Sequence, residues 1–291
     1  DGGDVVHANG YVYAVVGNFV GNFYQYNVST NTWVEKALLP GSSWPGAALV
    51  YTGGNYIYMG RGSDTAFYRY SISGDSWTTM VAAPVSLAGG TFVYPGSGDY
   101  IYTFEGSNST TFYRYSISGN SWSTRAAAPG GIGNAGTGSA LAYPGSGNYI
   151  YALRDGNTTS FYRYDIVNDT WATMTAVPLA VSRGSLFSSG FGNYLYAYRG
   201  NVSNTLYRYS ISGNSWTEIT NLPEVTGNGH AVAVDSGTYA YVTTGQGDTS
   251  FYRYEFNNDG GWTLMGALPS GGVTSGAASV HTNDDYIYVT R

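Results

Sequence analysis

Short stretches in which apolar and polar residues alternate follow one another along the chain, and each is closed by turn residues. In one of them Phe67-Tyr68-Arg69-Tyr70 is followed by Ser-Ile-Ser-Gly-Asp-Ser and then Trp77. Alternation with a period of two predicts a half-buried strand, and Gly beside Asp or Asn predicts a tight turn. The stretch is therefore predicted to be a β-hairpin that ends before a proline, because proline cannot extend a sheet.

This hairpin recurs six times. The copies begin at Phe23, Phe67, Phe112, Phe161, Leu206 and Phe251, with successive starts 44, 45, 49, 45 and 45 residues apart. In every copy a proline follows the tryptophan by seven residues. A second hairpin precedes each copy, with a strand of small residues and then a Tyr-x-Tyr strand, as at residues 46–51 and 56–60. Four strands in about 45 residues are the unit of a β-propeller blade.

The spacing of the aromatic residues resembles a known repeat. Six residues separate Tyr from Trp in five copies, as between Tyr70 and Trp77, and seven separate them in the last copy. This Tyr-x6-Trp spacing, after a strand that ends in glycine, resembles the kelch repeat over nearly the whole chain, and the resemblance implies a β-propeller. The sequence departs from kelch at the usual double glycine, because Arg61 precedes Gly62. Propellers host many activities, so the resemblance implies little about function.

The number of blades depends on how the last hairpin is counted. There are six outer hairpins but seven inner ones, and the seventh inner hairpin, at residues 276–281 and 286–291, has no outer hairpin after it. We therefore predict an all-β fold in which residues 1–291 form a single β-propeller domain of four-stranded blades, seven in number, with an incomplete last blade. A six-bladed ring that leaves residues 276–291 outside is the alternative.

Composition narrows the classes of partner. Hydrophobic residues make up 43% of the chain, which is enough for a sizeable core. No run of 18 apolar residues occurs, so we expect no membrane-spanning helix. The net charge is −6 and Lys36 is the only lysine, which argues against a nucleic-acid partner because phosphate binding needs a basic surface. The absence of cysteine excludes disulfides and thiolate metal sites.

Two features lead us to expect an extracellular or cell-surface protein. The chain begins at Asp1 instead of Met, as it would after removal of a signal peptide. Five Asn-x-Ser/Thr sequons are also present, which are acceptor sites for N-glycosylation in secreted proteins. The candidate glycosylation sites are Asn27, Asn108, Asn157, Asn168 and Asn201.

Histidines and arginines do not form a motif for chemistry. His7, His230 and His281 lie in predicted innermost strands without a spaced partner, so we predict no metal and no cofactor. Arginine recurs as the third residue of the Phe-Tyr-Arg-Tyr strands and after several Tyr-x-Tyr strands. A ring of guanidinium groups for an acidic ligand is one interpretation, and stacking on tyrosine is the other. Repetition in nearly every blade favours stacking.

The acidic residues do not indicate catalysis. Those predicted near blade loops are Asp64, Glu105, Asp155 and Asp248. Glycoside hydrolysis needs two carboxyl groups across a cleft, and nothing in the sequence distinguishes one of these acids from a solvated loop residue. We therefore expect no catalytic residues and a protein that is not an enzyme.

We expect a structural or adhesive role with self-association into a homo-oligomer or filament. The last strand, at residues 286–291, has no following strand to pair with, and an exposed sheet edge invites pairing with another chain. Its candidate contact residues are Tyr286, Tyr288 and Arg291. A carbohydrate-binding, lectin-like module is the alternative, because Trp44 lies outside the repeat register and could stack on a sugar ring. A glycan-active enzyme is the third hypothesis.

Overall fold

The computed structural model describes most of the chain. The described residues are 4–15, 21–27, 29–43, 46–87, 91–105, 109–132, 140–154, 156–182, 184–190, 192–200, 202–226, 231–234, 237–245, 247–256, 261–265, 267, 279–281 and 287–289. Only the backbone is described for Val280, His281 and Tyr288.

Six four-stranded sheets and one two-stranded sheet make up the described fold, and every strand pairs antiparallel with its neighbours in sequence order. Blades 1 to 3 comprise β1 (Asp4–Ala8), β2 (Tyr11–Val15), β3 (Phe23–Asn27) and β4 (Thr32–Glu35); β5 (Ala48–Tyr51), β6 (Tyr56–Gly60), β7 (Phe67–Ser71) and β8 (Ser76–Thr79); and β9 (Phe92–Val93), β10 (Tyr100–Phe104), β11 (Phe112–Ser116) and β12 (Ser121–Arg125). Blades 4 to 6 comprise β13 (Ala140–Ala142), β14 (Tyr149–Leu153), β15 (Phe161–Asp165) and β16 (Thr170–Thr173); β17 (Ser185–Ser188), β18 (Tyr194–Tyr198), β19 (Leu206–Ser210) and β20 (Ser215–Glu218); and β21 (Ala231–Val234), β22 (Tyr239–Thr243), β23 (Phe251–Glu255) and β24 (Trp262–Leu264). The two-stranded sheet comprises β25 (Ser279–His281) and β26 (Ile287–Val289).

The blades contact one another through their first strands. Each of β1, β5, β9, β13, β17 and β21 contacts the next in that order, and β25 contacts both β21 and β1. The two-stranded sheet, which we call the seventh unit, therefore lies between blade 6 and blade 1. The prediction of an all-β propeller built from four-stranded blades is confirmed. Among the described residues, complete blades number six, as in the six-bladed alternative, and the segment that this alternative left outside supplies the seventh unit.

Turn chemistry explains the outer hairpins. The residue after glycine in the turn adopts a left-handed backbone, with φ of 43° at Asp75, 44° at Asn120 and 46° at Asn214. Asp and Asn tolerate this region better than other residues that carry a Cβ. The same side chains bind the preceding strand, since the Tyr70 hydroxyl donates to Asp75 Oδ1 at 2.7 Å. The repeated Gly-Asp and Gly-Asn pairs thus determine both the turn conformation and the hydrogen bond that holds the turn to the preceding strand.

Aromatic residues of the repeat form the core between neighbouring blades. Phe67 in blade 2 is fully buried and stacks on Tyr58 of its own blade, with ring centroids 5.8 Å apart. It also packs edge-on against Tyr115 and Trp122 of blade 3, at 4.8 and 4.9 Å. Such ring pairs contribute about 0.5–1.5 kcal/mol each beyond the burial of apolar area. The repeated Phe-Tyr-Arg-Tyr and Trp positions therefore join each blade to the next.

Candidate functional site

Arginines of the third strands stack on tyrosines of the second strands. The Arg114 guanidinium lies 3.9 Å from the centroid of the Tyr100 ring. The equivalent pairs are Arg69–Tyr56, Arg163–Tyr149, Arg208–Tyr194 and Arg253–Tyr239, at 4.4, 4.2, 4.7 and 4.4 Å. The stacking interpretation is confirmed for these five arginines, which bind within their own blades.

Acidic residues of the loops between second and third strands hold those loops. Asp64 forms an ion pair with Arg61 and accepts the Ala66 N–H at 2.9 Å. Glu105 accepts the Ser109 hydroxyl at 2.7 Å. Burial alone would raise the pKa of Asp248, but hydrogen bonds, chiefly from Ser250, outweigh it and lower that pKa. A general acid needs a raised pKa, so these contacts favour a structural role. Asp155 lies outside the described residues.

Asp4 differs from the loop acids. It lies in the innermost strand β1, where its carboxylate accepts the N–H of Val5 at 2.9 Å and of Leu49, in blade 2, at 2.7 Å. Burial raises its pKa to about 6, although both hydrogen bonds act in the opposite direction. The side chain therefore joins the inner strands of blades 1 and 2 at an electrostatic cost at neutral pH.

Lowering the pH from about 7 to about 5 should relieve this cost. The pKa of folded Asp4, about 6, exceeds the ordinary aspartate value of 3.8, so the folded state binds the proton more readily and is stabilised as Asp4 protonates. Urea unfolding at the two pH values measures this gain in the free energy of unfolding. We expect the gain to be absent in Asp4→Asn. The pKa values of Asp75, Asp99, Asp165, Asp169 and Asp248 are lowered, so those groups titrate below the window. Identical pH dependence of wild type and variant would contradict the prediction.

Of the three histidines that could bind a metal, one has a described side chain. His7 lies half-buried in β1, whereas His230 and the side chain of His281 are outside the described part of the chain. Within the described ranges, no three or more His, Cys, Asp or Glu residues are grouped so that they could hold a metal ion. Those same ranges contain no helix long and apolar enough to cross a membrane.

A groove of about 290 Å³ lies between blades 4 and 5. Blade 4 contributes Tyr149 and the turn before it, and blade 5 contributes Asn193 and Ile211. Asn193 is already used within its blade, because its amide donates to the Ser212 hydroxyl and accepts the Ser212 N–H at 2.6 and 2.8 Å. Tyr149 carries the stacked Arg163. The groove therefore presents an aromatic wall with few uncommitted polar groups.

Each tryptophan of blades 2 to 6 binds the backbone of the preceding blade. The indole N–H donates at 2.8–3.0 Å to the carbonyl four residues after the preceding tryptophan. The pairs are Trp77–Ala37, Trp122–Val81, Trp171–Ala126, Trp216–Thr175 and Trp262–Thr220. In four seams the turn Asp or Asn also accepts the N–H of that same residue, at 2.9–3.0 Å. We call the tryptophan and the turn residue the backbone clamp.

In blade 1 the clamp residues are Asn31 and Trp33, and they hold no described residue. Trp33 is 50% exposed, whereas its counterparts in blades 2 to 6 are partly buried. Asn31 accepts the Tyr26 hydroxyl at 2.5 Å, so the turn has the same form as in the other blades. Trp33 is exposed because the preceding position in the ring is the seventh unit, for which two strands are described.

Blade 6 is also less completely covered on the side that faces the seventh unit. Phe251 in blade 6 is partly exposed, whereas its counterparts Phe67 and Phe161 have no exposed surface. No described strand pairs with the outer edge of β26. We call the space bounded by Trp33 and Asn31, the β26 edge and Phe251 the open slot. It is the candidate functional site.

The predicted contact residues fall at or near this site only in part. Tyr288 lies in β26, where its backbone is opposite Val280. Tyr286 and Arg291 lie outside the described residues, as do Trp44, Asn108 and Asn201. Sequence reasoning indicated the β26 edge but missed the clamp in blade 1.

Comparison with known proteins supports the fold. No protein-family model matches the chain, and no curated protein matches it. Solved structures do match, 1191 chains in all. One of them, titled "Structure of YjhT", is 13% identical with a TM-score of 0.63, and the alignment covers 91% of this chain and 96% of that chain. At this identity the similarity shows a β-propeller fold and carries no information about activity.

Proposed function

We propose that this protein is a non-catalytic, extracellular β-propeller with kelch-like repeats that has a structural or adhesive role and self-associates into a homo-oligomer or filament. The observation that carries the proposal is the open slot. Most repeated polar groups with potential chemistry are used inside the blades, as the stacked Arg114 and the loop-binding Asp64 illustrate. Recognition at a surface is the function that this distribution supports best.

The open slot combines an unpaired strand edge with exposed apolar surface. Trp33 is 50% exposed and Phe251 is partly exposed. A strand edge adds backbone donors and acceptors that favour pairing with another chain. If the partner is a second copy bound through a different surface, the contact is heterologous and propagates into a filament unless rotation closes a ring.

Sedimentation velocity over a concentration series tests this proposal. We expect the wild-type sedimentation coefficient to rise with concentration, and Trp33→Glu to abolish the rise because it places a charge in the contact. Val167, 69% exposed in blade 4, supplies the matched control, since Val167→Glu alters a comparable apolar surface far from the slot. A wild-type protein that stays monomeric up to about 100 μM would refute self-association.

A lectin-like role is the second candidate, and the groove between blades 4 and 5 supports it. Tyr149 offers an aromatic face next to the groove, and aromatic residues stack on sugar rings. Glycan-array binding tests it. Under this hypothesis Tyr149→Ala would lose binding, whereas Tyr56→Ala would not, because Tyr56 occupies the same repeat position beside Arg69 in blade 2. Equal binding by both variants would exclude the groove.

We also predict that the native protein is glycosylated, and the extracellular location rests on this expectation. Asn157 is exposed in the loop between the second and third strands of blade 4, and no described residue forms a hydrogen bond with its side-chain amide. Asn168 is exposed but donates its side-chain amide to Asp165 Oδ2 at 2.9 Å, and the side-chain Oδ1 of Asn27 accepts the Ser29 N–H. Intact-mass measurement of native material should therefore exceed 31.0 kDa, with Asn157→Gln giving the largest single loss. A mass equal to the polypeptide would refute occupancy.

A further inference from the structure

We infer that the groove between blades 4 and 5 is a binding site for a small phenol. The inference goes beyond the proposed function, because it does not depend on self-association and it names a ligand other than a sugar. It rests on one difference between blade 5 and the three blades before it, at the end of the innermost strand. That difference removes a tyrosine ring from a place where blades 2 to 4 hold one.

Blades 2 to 4 each have a tyrosine where the first strand ends and its turn begins. In all three blades the tyrosine hydroxyl donates to the carbonyl of a glycine in the turn that follows. The pairs are Tyr51–Gly54, Tyr94–Gly98 and Tyr143–Gly147, at 3.1, 3.1 and 2.9 Å. The hydroxyl group therefore has a fixed acceptor in the repeat.

The tyrosine ring packs in the seam with the preceding blade. Tyr143 lies in one hydrophobic cluster with Tyr100 of blade 3 and Ile166 of its own blade. In the seam between blades 1 and 2, the Tyr51 hydroxyl lies 2.6 Å from Asn9 Oδ1 in the turn of blade 1. The ring thus fills space between the turns of two adjacent blades.

Blade 5 has Ser188 at this position. In blade 2, Tyr51 is opposite the second residue of the second strand, Ile57. Ser188 is likewise opposite the second residue of β18, Leu195. Its hydroxyl accepts the Gly190 N–H at 2.9 Å and so binds within its own turn. No ring therefore enters the seam between blades 4 and 5 from this position.

The groove lies where that ring is missing. Its walls include Tyr149 of blade 4 and Ile211 of blade 5. These two residues hold the repeat positions of Tyr100 and Ile166, which accompany the Tyr143 ring in the preceding seam. A site from which a ring is missing can bind a free ring of similar size. The volume of about 290 Å³ is at the low end for ligand pockets, which favours a ligand with a single ring.

Gly192 supplies an acceptor for a hydroxyl group on such a ring. It lines the groove at the turn position of Gly147, and the two glycines have φ of 89° and 85°. The Gly147 carbonyl accepts the Tyr143 hydroxyl, whereas no described residue donates to the Gly192 carbonyl. We therefore place the phenol ring beside Tyr149 and Ile211, with its hydroxyl donating to Gly192.

The seam between blades 5 and 6 shows how the repeat closes when the tyrosine is absent. Val234 holds the tyrosine position there. Phe256 takes the place of the isoleucine, and its ring packs on Tyr196 with centroids 4.7 Å apart. Blade 5 keeps Ile211 beside Ser188, so the lost ring volume is not replaced in the groove.

The ligand is a small molecule and not the tyrosine of another polypeptide. In blades 2 to 4 the tyrosine side chain starts from the backbone at the end of the first strand. The backbone of Ser188 occupies that place, because it pairs with β18. A second polypeptide would have to bring its backbone to the same place, whereas a free phenol has no such requirement.

Titration of the full chain with 4-fluorophenol, followed by ¹⁹F NMR, tests the assignment. We expect a dissociation constant of about 1 mM, which is reasonable for a ligand of this size. Fluorobenzene should bind about three- to tenfold more weakly, because it has no hydroxyl to donate to Gly192. As competitors of 4-fluorophenol, p-cresol should be more effective than N-acetyltyrosinamide, which carries polypeptide backbone groups.

Two variants fill the groove from within the chain. Ser188→Tyr restores the ring of blades 2 to 4, and Ile211→Phe copies Phe256 of blade 6. Each should weaken 4-fluorophenol binding by about tenfold or more, and Ser188→Tyr should also raise the midpoint of thermal unfolding. Ser73→Tyr is the matched control, since it adds the same side chain to an exposed turn of blade 2 and should bind like wild type. Thermal unfolding verifies that each variant is folded.

Three results would overturn the inference. The first is the absence of saturable binding up to about 10 mM 4-fluorophenol, and the second is equal binding by wild type and the folded groove-filling variants. The third is a competitor order that assigns the groove to another ligand. Stronger competition by N-acetyltyrosinamide than by p-cresol would indicate a protein partner, and competition by a methyl glycoside without competition by p-cresol would indicate a sugar. Sedimentation tests self-association separately, because none of these results depends on it.

Discussion

Replacing Trp122 with phenylalanine is expected to lower the free energy of unfolding by about 0.5–1.5 kcal/mol, because the Val81 carbonyl loses its hydrogen bond at the seam between blades 2 and 3. The bond from the indole to that carbonyl is 3.0 Å long. Replacement with alanine should cost more, about 3–5 kcal/mol, because the ring that packs on Phe67 is also lost. Urea unfolding followed by far-UV circular dichroism measures both effects.

Trp33 provides the internal control. It occupies the same repeat position, but no described residue accepts its indole N–H and half of its surface is exposed. Trp33→Phe should therefore change the unfolding free energy by no more than about 0.5 kcal/mol. Equal losses for the two phenylalanine variants would show that the slot is filled within the chain itself, and would contradict the assignment of an open clamp.

Gly145→Ala is expected to destabilise the protein by about 2–5 kcal/mol, because two penalties combine. Gly145 has a φ of 94°, in the left-handed region, and a Cβ there would lie 2.0 Å from the carbonyl oxygen of Gly190 in the next blade. Backbone atoms cannot move aside as a flexible side chain can. The turns of blades 4 and 5 would therefore have to separate. The midpoint of urea unfolding is the measurement.

Gly96 isolates the first penalty, the cost of the left-handed backbone. It occupies the same position of the Pro-Gly-Ser-Gly turn in blade 3, with a φ of 77°, and a Cβ there would meet nothing within 4 Å. Gly96→Ala should therefore show only the backbone cost of about 1–2 kcal/mol. The difference between the variants measures the close approach of blades 4 and 5, and a difference near zero would mean that this contact is not rigid.

Much of the fold was determined by the sequence itself, because the signals are local. The strands that contain Tyr70 and Trp77 pair across a short turn. The turn includes Gly74 and Asp75, and Asp75 adopts the left-handed backbone that the turn requires. The repetition of the motif then predicted a propeller, and the stacking of arginine on tyrosine followed from its recurrence. The number of inner and outer hairpins could also be counted along the chain.

Only the tertiary structure shows the environment of residues at the blade edges. There, residues about 40 to 45 positions apart in the sequence come into contact. The raised pKa of Asp4 comes from its burial beside blade 2, and the approach of Gly145 to Gly190 depends on how two turns meet. Trp33 shows the reason most clearly. Its local sequence resembles that of Trp77, yet one indole is exposed and the other is bound to Ala37. A side chain's environment at a blade edge is set by the neighbouring blade, and for blade 1 that neighbour comes from the other end of the chain.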